Sequence, residues 1–145
     1  MLTVDLFYDN QSAFHGDGER VWVSRAGQVT VELLEPGSTA RFESKLTQAE
    51  TTALAAALTA LAAAPVAEVD RLGIPDEVRT SLDLLGDRHS RFEVWSGDWG
   101  KQPPTLAKLY QLLMEVKTRA LKEKAVRGPL NPSARYWPKG FPRPK

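Results

Sequence analysis

The stretch FHGDGE sets His15, Asp17 and Glu19 at alternate positions between glycines. Oxygen donors gathered by a glycine-rich turn are what a hard divalent cation requires. The spacing is not that of an EF-hand, and an imidazole is a poor calcium ligand. The stretch therefore reads as a solvated turn between strands that binds no metal. A second candidate is GDRHSR, where His89 lies close to Asp87 and Ser90. A Ser–His–Asp relay needs its members to converge from separate elements, which residues this close in sequence do not. No GxSxG elbow accompanies them. The chain holds two histidines and no cysteine. Thiolate metal sites and disulfides are excluded, a His/His/carboxylate zinc site is poorly supported, and His89 is expected as an exposed hairpin residue.

GDWGKQPP has two glycines and a lysine but neither the spacing nor the hydroxyl of a phosphate loop. No GxGxxG is present either. Asp76 and Glu77 sit in a turn-like stretch where solvation explains them. No catalytic residue, metal or cofactor is therefore expected.

The aromatic residues point elsewhere. Trp95 and Trp99 bracket SGD. Large aromatics beside a turn either close the end of a core or anchor an interface. The carboxyl-terminal ARYWPKGFPRPK carries Arg135, Lys139, Arg143 and Lys145 beside Tyr136, Trp137 and Phe141, with no acid. Its prolines forbid a helix or a central strand. PLNP, Pro129 to Pro132, has the spacing of a polyproline ligand, a pattern common by chance in such a segment.

The net charge of +1 hides a division. Residues 1–116 hold 10 Lys/Arg against 17 Asp/Glu, a net of −7, whereas 117–145 hold 9 Lys/Arg and only Glu123, a net of +8. Such asymmetry marks an interaction tail. The tail either docks on another molecule or folds back on its own acidic domain. The 145 residues are expected as one domain over 1–128 and an extended basic, aromatic tail over 129–145. The start, MLTVDLFYDN, has acids where a secretory leader needs bases. The apolar run ALAAALTALAAAPVA is broken by Thr59 and Pro65 and is too short to span a bilayer. A cytoplasmic location is expected.

The elements that must carry these residues follow from hydrophobic period. LTVDLFY alternates Leu2, Val4, Leu6 and Tyr8 against Thr3, Asp5 and Phe7, as a strand does. RVWVSR and QVTVELL flank Ala26-Gly27 as a hairpin, and Pro36-Gly37 makes a further turn. TARFESK is a polar strand expected at an edge. A helix starts at TQAE, with Thr47 and Glu50 as a capping box, and presents Leu54, Leu58 and Leu61. RTSLDLL and RHSRFEVW form a second hairpin about Gly86-Asp87, with Leu82, Leu84, Phe92 and Val94 inward. The second helix begins near Thr105, runs to Ala125 with Leu106, Leu109, Leu113, Val116 and Ala120 on one stripe, and stops at Gly128-Pro129. Glu115 and Arg119 have i,i+4 spacing. The expected fold is α+β: a largely antiparallel sheet of about six strands in hairpins with two helices on one face, in the order β-β-β-β-α-β-β-α.

For function, the sequence points to a non-enzymatic protein-binding module, such as an adaptor, inhibitor or accessory subunit. Its docking residues would be Trp95, Trp99, Arg135, Tyr136, Trp137, Lys139, Phe141, Arg143 and Lys145. The expected partner is a protein with an acidic or apolar-grooved surface, not a membrane. Nucleic acid is the alternative, since interleaved cations and aromatics neutralise phosphates and stack on bases. Against it, the domain is acidic and carries no nucleic-acid motif. A small enzyme is the third reading and lacks a recognisable site.

Overall fold

A computed structural model describes residues 2–11, 18–35, 38–64, 79–95 and 102–129. Four strands come first: β1 (Asp5–Gln11), β2 (Gly18–Val23), β3 (Gln28–Glu35) and β4 (Ser38–Lys45). Helix α1 (Gln48–Ala63) follows, then β5 (Arg79–Leu85), β6 (His89–Trp95), helix α2 (Pro104–Ala120) and β7 (Val126–Pro129). The strands form one sheet in the order β6-β5-β1-β2-β3-β4-β7, and every pairing is antiparallel. The expected α+β architecture and its β-β-β-β-α-β-β-α order are observed.

The register sorts side chains onto two faces, because alternate residues of a strand point to opposite sides. Leu6 and Tyr8 of β1 align with Val23 and Val21 of β2, which align with Val29 and Val31 of β3. On the other side they align with Leu84 and Leu82 of β5. All eight are buried and form the floor of the core. The helices close it from above with Leu54, Ala57 and Leu61 of α1 and Leu106, Leu109, Leu113 and Val116 of α2. Each fully buried leucine contributes about 1.5–3 kcal/mol. Leu58, expected in this set, is only half-buried, because it lies where α1 overhangs the β5–β6 hairpin.

Local chemistry sets the boundaries. Thr47 caps α1 as expected: the Glu50 amide donates to Thr47 Oγ1 at 3.1 Å and the Thr47 amide to Glu50 Oε1 at 2.8 Å. Helix α2 starts without a side-chain cap: Pro103 is its N-cap and Pro104 its first residue, so Thr105 lies near the cap, in the first turn, without serving as one. Proline suits the first helical position because the missing N–H has no partner there anyway. The β2–β3 turn closes with the Gly27 amide donating to the Ser24 carbonyl at 2.8 Å. Gly27 takes φ +93°, which a side chain would resist. The Pro36-Gly37 turn lies outside the described residues.

Three expectations need correction. Helix α2 ends at Ala120 instead of running to Ala125. Residues 122–124 are all charged, so nothing extends the buried stripe. Val126–Pro129 then pairs with β4, which places β4 inside the sheet instead of at its edge. Phe7, assigned to the polar side by alternation, does lie opposite Leu6 and Tyr8 yet is 1% exposed. The sheet therefore has a second buried surface. Among the described residues, no helix is long and apolar enough to cross a membrane.

Candidate functional site

Both helices lie on the Leu6–Tyr8 face, so the second face is where the sheet presents unusual chemistry. Across strands β6, β5, β1 and β2, Arg91, Asp83, Phe7 and Trp22 stand in one row. In the next row Glu93, Ser81, Asp9, Arg20, Glu32 and Arg41 run from β6 to β4. Four adjacent strands thus alternate acid, base, acid, base.

The apolar part of this face is a stack. The Phe7 and Trp22 rings lie 5.1 Å apart at 10°, an offset that adds to the burial of both. The charged part is paired along the ladder. Arg20 Nε is 3.7 Å from Asp9 Oδ1, and Arg41 Nη2 donates to Glu32 Oε2 at 3.2 Å. Arg20, Glu32, Ser81 and Asp83 are all buried. Opposite charges facing across strands contribute roughly 0.2–1 kcal/mol each. Removing one member of a buried pair costs far more, because its partner stays behind uncompensated.

The β5–β6 hairpin holds the densest cluster. Asp83 is fully buried. It accepts from Arg91 Nη1 at 3.1 and 3.3 Å, and its Oδ1 lies 2.6 Å from His89 Nε2. Arg91 Nε also donates to Glu93 Oε1 at 3.1 Å, and Arg79 stands 3.9 Å from the same oxygen. His89 thus pairs with Asp83 across the hairpin, not with its sequence neighbour Asp87. Only a neutral ring that donates from Nε2 to a carboxylate has Nδ1 as an acceptor; a charged ring donates from both nitrogens. The neutral arrangement is the second half of a general-base relay, but among the described residues no hydroxyl or thiol is hydrogen-bonded to the ring.

A separate polar cluster lies under α2. Glu19, from the FHGDGE stretch, accepts from Lys117 Nζ at 2.6 Å and from the Tyr8 hydroxyl at 3.3 Å. Asn10 Nδ2 donates to the same hydroxyl. The Tyr8 ring meets Tyr110 edge-on at 6.1 Å. Burial pushes both phenols well above their ordinary range. Glu19 therefore serves the helix–sheet contact. His15 and Asp17 lie outside the described residues. Among the described residues, no group of three or more His, Cys, Asp or Glu is placed to hold a metal ion.

Of the expected docking residues, Trp95 ends β6 opposite Arg79, and its side chain lies outside the described set. Trp99, Arg135, Tyr136, Trp137, Lys139, Phe141, Arg143 and Lys145 also lie outside the described residues. What the structure fixes is the root of the arm: β7 ties Val126–Pro129 to β4. The Asp83 cluster and the Asp9–Arg41 ladder were missed. A signal for the first was present, since His89, Arg91 and Glu93 alternate along one strand. The ladder depends on register between four strands, which a sequence does not display.

No family model matches the chain, and no curated protein matches it either.

Proposed function

We propose that this protein is a non-enzymatic protein-binding module whose basic, aromatic segment 130–145 docks on a partner protein. The observation that supports this reading is the position of β7. The last described strand is hydrogen-bonded to the sheet through β4, so the segment that follows starts from a rigid element. Anchoring one end reduces the entropy lost on docking. The four cations of the segment steer an acidic partner, and Tyr136, Trp137 and Phe141 supply anchors of the type that dominate interface energy. The pairing around Asp83, where acid meets base at every step, suits a structural network better than a reaction centre. A cysteine-free chain of this kind fits the cytoplasm.

The test is affinity capture from native extract with the full chain, with and without nuclease, followed by binding of the purified partner to the full chain and to Trp137→Ala. A protein retained after nuclease treatment, and bound at least tenfold more weakly by Trp137→Ala, is the expected result. Retention of nucleic acid alone would replace this reading with the nucleic-acid one.

A further inference from the structure

A cleft of about 550 Å³ opens between α1 and the β5–β6 hairpin. Its walls are apolar: Leu58 and Leu61 from α1, Leu84 and Phe92 from the hairpin, and Leu2 and Val4 from the stretch leading into β1. Leu58, Phe92 and Val4 are only partly buried, so the cleft interrupts the covering of the core. Thr59, Ser90 and Arg88 also line it.

Arg88 is the residue out of pattern. Arg20, Arg25, Arg41, Arg79, Arg91 and Arg119 each stand within an ion pair. Among the described residues, Arg88 alone of the arginines with described side chains forms no ion pair, although Asp87 precedes it in sequence. Its backbone carbonyl accepts from the Gly86 amide at 3.2 Å, which fixes the turn that carries it. An unpaired guanidinium on the wall of an apolar cleft is complementary to a ligand with an apolar body and an anionic end. The planar fork of arginine matches a carboxylate in two parallel hydrogen bonds. The volume lies in the range of small-molecule sites, about 300–1,000 Å³. A single cation suits a monoanion; a membrane surface or a nucleic acid would call for several.

We propose that this cleft is a binding site for an amphipathic monocarboxylate, with a chain of about ten carbons lying against Leu58, Leu84 and Phe92 and its carboxylate on Arg88. The site is separate from segment 130–145, so it stands or falls independently of the docking reading.

Calorimetric titration of the full chain with hexanoate, octanoate and decanoate, each below its micelle concentration, tests the proposal. Affinity should rise roughly three- to fourfold per methylene. Decanol, which keeps the chain and loses the charge, should bind about tenfold more weakly than decanoate. Arg88→Met should weaken decanoate about tenfold and leave decanol unchanged, while Arg88→Lys should recover part of the loss. Ala62→Trp fills the cleft from an exposed position on α1 and should abolish binding of both. Methyl resonances of Leu58 and Leu84 should shift on binding and report the location. Absence of saturable decanoate binding would overturn the proposal. So would equal affinity for decanol and decanoate, or an Arg88→Met variant that binds decanoate as the native chain does.

Discussion

Arg119 Nε donates to Glu50 Oε2 at 2.7 Å, joining the last turn of α2 to the first turn of α1. The same guanidinium donates to Ser44 Oγ at 3.0 Å and to the Lys45 carbonyl at 2.8 Å. One side chain thus holds both helices and the end of β4. Glu115, at i,i+4 from Arg119, is not its partner and instead accepts from Gln111. The capped start of α1 offers Arg119 a carboxylate already oriented by the Thr47 amide. A neighbour on its own helix would have to be ordered at the cost of side-chain entropy.

This contact makes stability depend on acid. Burial pushes the Glu50 carboxyl up, but the hydrogen bonds from Arg119 and the Thr47 amide outweigh it and hold the group below its ordinary 4.5. A carboxyl depressed in the folded state stabilises the fold above its unfolded value, and that stability is lost as pH falls through the folded value. Glu50→Gln should cost about 1 kcal/mol at neutral pH. The gap between variant and native chain should narrow as pH drops below about 4.5. Urea denaturation across that range checks it, and a gap constant with pH would refute the assignment.

Asp83 should be the most sensitive polar position. It is fully buried and receives both Arg91 and His89. Asp83→Ala leaves a partly buried guanidinium with Glu93 as its remaining partner, which should cost about 3 kcal/mol. His89→Ala removes one contact at the edge strand and should cost about 1 kcal/mol. Chemical denaturation of the two variants measures the ratio. Equal losses would mean that Asp83 is not the centre of the cluster.

The two leucines Leu109 and Leu58 should separate. Leu109 is fully buried against the sheet, so Leu109→Ala should cost about 3–5 kcal/mol. Leu58 faces the cleft and is half-buried, so Leu58→Ala leaves no closed cavity and should cost about 1 kcal/mol. Thermal and urea melts of both variants decide it; a Leu58→Ala loss as large as that of Leu109→Ala would show that the cleft closes in solution.

What the sequence displayed and what it hid divide along physical lines. Strand alternation, the Thr47–Glu50 box and the α2 stripe are local patterns, and they placed Leu54, Leu61, Leu106, Leu109 and Leu113 correctly. The pairing of β7 with β4 was hidden because Val126–Pro129 is too short to show a period and joins a strand more than 80 positions earlier. The Asp9–Arg20–Glu32–Arg41 ladder was hidden for the same reason, since each member looks like a solvated charge until register sets it beside the next. Arg88 looked ordinary in GDRHSR; only the pairing of the other arginines makes it stand out.

The arm is the last test, and β7 fixes where to cut. A chain ending at Gly128 would remove Pro129, which faces Ser38 across the β4–β7 pairing, so the stop belongs after Leu130. If segment 130–145 serves a partner, the shortened chain should melt cooperatively within about 1 kcal/mol of the full chain, because every described strand and both helices remain. It should lose the partner captured by the full chain. Trp137→Ala should hasten dissociation with little change in the on-rate, as expected for a desolvated anchor. Reversing charge at Lys139 and Arg143 should lower the on-rate and its sensitivity to salt, as expected for steering. The buried Phe7–Trp22 stack supplies the contrary outcome. If the arm is instead a strap over the second face, the shortened chain should melt far lower and Trp22 fluorescence should shift to the red. That result would exchange a docking element for a structural one.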